Sequence, residues 1–238
     1  MLRSDRGGSS VIELLKASPL LHNLPGVELE QLSARAHRSR YSANQFIFRK
    51  NDGGDSMMVI TSGRVKIISI SHHGTEVLLN IIERGEVFGE MTMLDGKPRS
   101  ADAVAAIETE LISLHRRDFL PILYKSTEAI DNITSLLCKR IRQASAFVED
   151  AVFCNASTRL LRRMRALADQ YGQPEPDRVG VRIQHGLSQQ ELGESVGLTR
   201  VSINRHLAAW RERGLIQDGR GYIVVPDMSK LEAAVRDG

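Results

Sequence analysis

Between residues 45 and 115 the chain is cut into short, β-prone runs by turn-forming residues. "FIF", "MMVITSGRVKIISI", "TEVLLNII", "SADAVAAI" and "ELISL" alternate with "NDGGD", "SG", "SHHG" and "ERGE". Such runs are too short and too rich in β-branched residues to be helices, and glycine-containing turns at close intervals bring each strand back beside an earlier one. This part of the chain is thereby restricted to an antiparallel roll or barrel, spanning roughly 41–115.

On either side the periodicity is helical. From about 11 to 40, Leu14, Leu15, Leu20 and Leu21, then Leu29, Leu32 and Ala36, fall at helical spacings. From Ile130 onward, Thr134, Leu137, Ile141, Ala144, Val148 and Ala151 follow in steps of four and three, the seam of a coiled coil, and predict a parallel homodimer. A second row, Ile133 and Leu136, is expected to pack against the roll. A further helix, about 157–171, ends at "YGQPEPDRVGV", whose prolines and glycines cannot continue it. The expected layout is α+β: an antiparallel β-roll (jelly-roll) domain over 1–125, a dimerisation helix over 126–152, a hinge over 153–156 and a C-terminal domain over 157–238.

The charge is uneven. From Thr158 to the end there are 13 Lys and Arg against 10 Asp and Glu, whereas the first 157 residues carry 19 of each, so the whole surplus of +3 lies in the last third. A surplus of this size needs a motif before it points to a polyanion. The motif is present. Ser188 and Glu191 form a capping box that starts a helix near Gln189, with Leu192 and Val196 facing inward. Gly193 admits a second helix at close range, Gly197 makes the turn, and Thr199 caps a helix whose Ile203 and Leu207 point to the core. Arg200, Val201, Ser202, Asn204 and Arg205 then lie on the outward face of a helix-turn-helix. "GLIQDGRGYIVV" adds two short strands around "DGRG", a wing. Arg200 and Arg205 are candidates for bidentate contacts to guanine O6 and N7 in double-stranded DNA. Ser202, His206, Arg211 and Arg213 are assigned to phosphate or solvent. Ser188 and Thr199, which start the two helices, complete the candidate DNA-binding set.

Other classes are disfavoured. Cys138 and Cys154 are the only cysteines and belong to no CxxC pair, which argues against a closed zinc site, a four-thiolate cluster or a disulfide framework. No signal peptide or long apolar span is present, so a cytoplasmic location and no membrane partner are expected. A metal enzyme built on a cupin-like roll would need converging histidines. The roll offers the adjacent pair His72 and His73, which point to opposite faces of a strand, and the isolated His115.

One stretch within the roll, "GEMTMLDGKPRSA" at 89–101, places Gly, Glu, Asp, Arg and Ser between apolar β-prone segments. Roll, dimer helix and winged helix-turn-helix together resemble the cyclic-AMP receptor protein and fumarate–nitrate regulator (CRP/FNR) superfamily of bacterial transcription factors, from about Leu20 to Pro226. The quoted stretch is similar to that family's phosphate-binding cassette, with Gly89-Glu90, a short helical turn, then Arg99-Ser100-Ala101. The resemblance implies a cyclic-nucleotide effector, cyclic AMP or cyclic GMP, and no other cofactor. Arg99 would neutralise the cyclic phosphodiester through its forked donors, with Ser100 and backbone N–H groups completing the phosphate's hydrogen bonds. Glu90 would accept from the ribose 2′-hydroxyl, and Arg140 is expected close to Glu90.

Two departures from the family pattern bear on specificity. A Thr-Ser pair contacts adenine in cyclic-AMP receptor proteins, and the matching positions here look like Ala144 and Ser145, so one adenine partner is missing. The recognition helix has Arg200-Val201 where the family's namesake has Arg-Glu, and valine packs on a thymine methyl but cannot accept from cytosine N4. The resemblance further implies a palindromic DNA site and contact with RNA polymerase through the loop from Tyr171 to Val179. Within the same fold, a regulator without a ligand, or one sensing haem or redox state, remains an open alternative at this point.

Overall fold

The computed structural model describes residues 11–71, 74, 76–174, 180–184, 186–219 and 222–236. They fall into two compact units divided after residue 142, with residues 76–78 grouped with the second. His72, His73 and residues 175–179 lie outside the described residues.

The first unit begins with α1 (Val11–Lys16) and α2 (Gly26–Arg35) and continues into β1 (His37–Tyr41), β2 (Phe46–Phe48), β3 (Ser56–Ser62), β4 (Arg64–Ile70), β5 (Glu76–Glu83) and β6 (Val87–Phe88). The helix α3 (Glu90–Asp95) interrupts the strands before β7 (Asp102–Ala105) and β8 (Thr109–His115), and α4 (Arg116–Leu123) follows. The strands form two four-stranded sheets, ordered β1-β8-β3-β6 and β2-β7-β4-β5, as the antiparallel roll requires. The run "SMMVI" at the start of β3 is buried throughout, because the two faces of the strand meet different cores. Met57 and Val59 join a core with Leu15, Leu29, Phe119 and other helical residues. Met58 and Ile60 face Val65, Ile82, Phe88 and Leu111 in a second core.

Sequence periodicity did not reveal β1. Its residues "HRSRY" read as the end of a helical region, yet they pair in register with β8 from His37↔Ser113 to Tyr41↔Thr109. β1 is an edge strand, and its exposed arginines suit an edge that must not recruit another chain.

α5 (Thr127–Phe153) is continuous over 27 residues. Ile133 is buried in the helical core of the roll and Leu136 packs against it, as their spacing predicted. The other row is outward: Ile130, Thr134, Ile141, Ala144, Val148 and Ala151 are exposed and Leu137 is half-buried. Ile141 is 65 % exposed on this helix.

In the second unit α6 (Ala156–Tyr171) starts at Asn155, whose side chain accepts from Thr158 N at 2.9 Å. The helices α5 and α6 are separated by Cys154 and Asn155, within the expected hinge. Next come β9 (Gly172–Pro174), β10 (Val181–Ile183), α7 (Gln189–Glu194), α8 (Arg200–Glu212), β11 (Gln217–Asp218), β12 (Ile223–Val225) and α9 (Met228–Arg236). The wing is wider than its sequence indicates, since β11 and β12 extend into a sheet ordered β11-β12-β10-β9. The stretch expected to be only a loop contributes β9 and β10, which pair antiparallel from Gly172↔Ile183 to Pro174↔Val181. No helix among the described residues is long and apolar enough to cross a membrane.

Candidate functional site

Gly89 sits at φ 75°, a left-handed conformation that favours glycine, and this bend turns β6 into α3. The turn places Glu90 in the first turn of α3, where it is buried. α3 ends at Gly96, and the chain returns through Pro98 to Arg99, which is only 4 % exposed.

Backbone bonds hold the Arg99 main chain against the loop before β3: Asn51 N donates to Arg99 O at 2.9 Å and Arg99 N to Asp52 O at 3.0 Å. Its side chain enters a cradle. Nη1 donates to the Gly89 carbonyl at 3.0 Å, Nη2 reaches Ser56 Oγ at 3.5 Å, and the buried Nε has no hydrogen-bond partner. The guanidinium lies over the Phe48 ring, 4.3 Å from its centroid. A Cβ at Gly54 or Gly89 would stand 2.8 Å or 2.5 Å from guanidinium nitrogens, so both glycines are needed for the cation to fit. Burial pulls the Arg99 pKa below its ordinary value, and the charges of Asp55, Glu90 and Asp52 oppose that shift. A buried cation with an orphaned donor fits an anionic group of the phosphodiester kind.

Arg140 closes on the same region from α5. Its Nη2 donates to Val87 O at 3.0 Å, and its Nε lies 3.8 Å from Glu90 Oε1. Gly89, Glu90, Arg99 and Arg140 are therefore brought together. Ser100 is exposed with its hydroxyl toward Met91 Sδ at 3.7 Å, and Ala101 is buried. Ala144 and Ser145 are exposed on α5 in the second unit. Phe48, Gly54 and Ser56 were not among the residues expected from sequence. The one available sequence clue was the "GG" of "NDGGD", which read as a turn alone.

The helix-turn-helix follows from local chemistry. Ser188 accepts from Glu191 N while Glu191 accepts from Ser188 N, a complete capping box. Thr199 accepts from Ser202 N at 3.3 Å and so starts α8. Two of the three hydroxyls among the candidate DNA-binding residues, those of Ser188 and Thr199, thus serve first as caps. Gly193 is buried, and a Cβ there would meet Ile203 Cγ2 at 3.0 Å, which sets the close approach of α7 and α8. Leu192, Val196, Ile203, Leu207 and Trp210 are buried behind that contact. On the opposite face Arg200, Val201, Asn204 and Arg205 are exposed, Val201 to 80 %, while Ser202 and His206 are half-buried. An apolar side chain so exposed, between two arginines on one helix face, is suited to a base-methyl contact.

His115 Nδ1 lies 3.1 Å from Asp55 Oδ1, and no group of three or more His, Cys, Asp or Glu side chains among the described residues could hold a metal ion.

Comparison with known proteins agrees with both halves. Residues 38–126 match the family described as cyclic nucleotide-binding domain, and residues 158–234 match the Crp-like helix-turn-helix domain. The "Cyclic AMP receptor protein" of Thermus thermophilus is 30% identical over 218 residues, covering 92% of this chain and 97% of that protein. A "CRP-like cAMP-activated global transcriptional regulator" of Mycobacterium tuberculosis is 25% identical over 224 residues, 94% of this chain and 99% of that one. Among solved structures, a CooA mutant from Carboxydothermus hydrogenoformans superposes with a TM-score of 0.78 at 20% identity, over 96% of this chain and 97% of that chain, which speaks to the fold. The chain thus belongs to the CRP/FNR family of transcription regulators, DNA-binding proteins that join a cyclic-nucleotide-binding roll to a Crp-like helix-turn-helix, and it is not an enzyme.

Proposed function

We propose that this regulator is a homodimer whose roll binds cyclic AMP, with cyclic GMP as a second ligand, and whose paired recognition helices read a palindromic DNA site. The observation that carries the ligand reading is Arg99, a buried guanidinium with an orphaned Nε in a glycine cradle, beside the Glu90 and Arg140 pair. A cyclic phosphodiester supplies the one negative charge such a site needs, and Glu90 supplies an acceptor for a ribose hydroxyl. The cyclic-AMP-activated relative from Mycobacterium tuberculosis supports the choice of nucleotide.

Arg140 gives the ligand leverage on α5, because it joins the helix to Val87 and Glu90. Ala144 and Ser145, further along that helix, are the proposed base contacts. Nucleotide that binds one arrangement of the dimer better than another shifts the population toward it, and the hinge at 153–156 passes the change to the DNA-binding unit. The two recognition helices then engage half-sites about one DNA turn apart, with Arg200, Val201 and Arg205 at the bases. Once on DNA, contact with RNA polymerase completes the regulatory step.

Calorimetric titration with cyclic AMP and cyclic GMP, in parallel on the Arg99→Ala variant, tests the ligand reading. Micromolar binding that disappears in the variant is expected. Absence of heat with either nucleotide would leave a CRP-fold regulator that needs no nucleotide or senses another effector.

A further inference from the structure

The Phe48 ring under Arg99 is itself held in place. It packs on Phe88 with centroids 5.8 Å apart and planes tilted by 33°, and it lies against the core between the sheets. A guanidinium stacked on a ring is attracted by the ring's quadrupole and keeps its in-plane donors unspent. Those donors are unequal here. Nη1 is committed to Gly89 O at 3.0 Å, whereas Nε is orphaned and Nη2 has only the long 3.5 Å approach to Ser56 Oγ. Nε and Nη2 form one edge of the fork, the pair that a phosphate takes with two parallel hydrogen bonds. That edge faces Gly54: a Cβ there would stand 2.9 Å from Nε and 2.8 Å from Nη2.

We propose that Phe48 is a positioning residue for Arg99 and that Gly54 leaves the Nε–Nη2 edge clear for the oxygens of the ligand's phosphate, which makes both residues determinants of nucleotide affinity. The assignment rests on the cyclic-nucleotide reading of the site. Phe48 fixes the plane of the cation without charge or acceptor, so it holds the guanidinium and does not compete with an anion. An acidic residue in its place would consume the donors the ligand needs. Gly54 acts through its missing side chain. Its backbone is outside the left-handed region, so alanine is conformationally accessible there and the intrusion falls on the guanidinium edge.

The test uses the full-length protein with Phe48→Leu, Phe48→Tyr and Gly54→Ala, cyclic AMP as the probe, and thermal melts to establish folding. Phe48→Leu is expected to weaken cyclic AMP binding about tenfold, from loss of a partly desolvated cation–π contact, and Phe48→Tyr to retain it. Gly54→Ala is expected to weaken binding at least as much with an unchanged melting temperature. A second readout does not depend on nucleotide. The Arg99 Nε–H NMR signal, identified by its loss in Arg99→Lys, is expected upfield in the wild type and Phe48→Tyr through the ring current, and at its ordinary position in Phe48→Leu. Wild-type protein that binds no cyclic AMP would sink the nucleotide reading, while the NMR shift would still decide the positioning. An unshifted wild-type signal, or folded Phe48→Leu and Gly54→Ala variants with wild-type affinity, would overturn the roles of Phe48 and Gly54.

Discussion

Arg140 Nε lies 3.8 Å from Glu90 Oε1, so a side chain of the long helix balances a carboxylate that is only 6 % exposed in the first turn of α3. Arg140→Ala would leave Glu90 buried without its nearest cation and remove the donor to Val87 O. The expected cost to the roll is about 1–3 kcal/mol, the range for leaving a buried polar group unsatisfied. Weaker cyclic AMP binding should accompany it. Denaturant melts and titration of Arg140→Ala, Glu90→Gln and the double variant check this. Strictly additive losses would show that the two side chains act separately.

Ala144 is exposed on α5 at the position where the family resemblance expects a hydroxyl donor to adenine. Ala144→Thr restores one hydrogen-bonding group, worth about 1 kcal/mol, so the ratio of cyclic AMP to cyclic GMP affinity should rise roughly fivefold. Competition titrations of both nucleotides read the ratio directly. An unchanged ratio would remove residue 144 from base selection.

How much of this was legible in sequence depends on how local the determinants are. The helix-turn-helix could be read almost whole, because Ser188 with Glu191, Gly193 and Thr199 act within a few residues of one another. The strands of the roll showed through wherever a buried face imposed alternation or, in β3, continuous apolar residues. β1 escaped because an edge strand needs no apolar pattern of its own: its pairing with β8 is decided by residues more than 60 positions away. β9 and β10 escaped because three residues each are too few to carry a period.

The candidate ligand site divides in the same way. Gly89, Glu90, Arg99 and Ser100 belong to one continuous stretch and could be named from it. Phe48, Gly54 and Ser56 are 43 to 51 positions from Arg99 in the chain, and only the packing of the roll brings them to its guanidinium.

The seam of α5 carries a prediction about assembly. Ile141 and Val148 are 65 % and 58 % exposed, seven residues apart on one helix face, more apolar surface than a lone helix would keep in water. In the proposed parallel dimer, Ile141→Asp places like charges opposite one another. The variant is expected to sediment as a monomer at concentrations where the wild type is a dimer, with weaker binding to a palindromic site. A wild-type sedimentation profile would place the dimer contact elsewhere.

Val201 is exposed between Arg200 and Arg205, and in the proposed DNA complex it meets one base pair of the half-site. Val201→Glu exchanges a methyl contact for an acceptor, so the preference there should move from thymine to cytosine, with a change of about 1–3 kcal/mol. Selection from a randomised half-site, carried out at fixed salt, would reveal it. The same preferred base for both proteins would place Val201 away from the groove.

His206, half-buried on α8, gives the DNA-binding unit a pH dependence of definite sign. Burial, and next the neighbouring Arg205, hold its pKa below the ordinary histidine value of 6.5. The unfolded chain, where that depression is absent, takes up the proton more readily than the folded one. Stability therefore has no contribution from His206 above both pKa values, and it declines as the pH falls through the ordinary value toward the depressed one. His206→Gln should lose this part of the decline. Other histidines titrate in both proteins and cancel in the difference. Urea midpoints compared between about pH 7.5 and pH 5.5, above the range where carboxylates protonate, isolate the effect. Parallel curves for wild type and variant would mean that His206 titrates alike in both states. A narrowing gap on Arg205→Gln would assign part of the depression to the neighbouring charge.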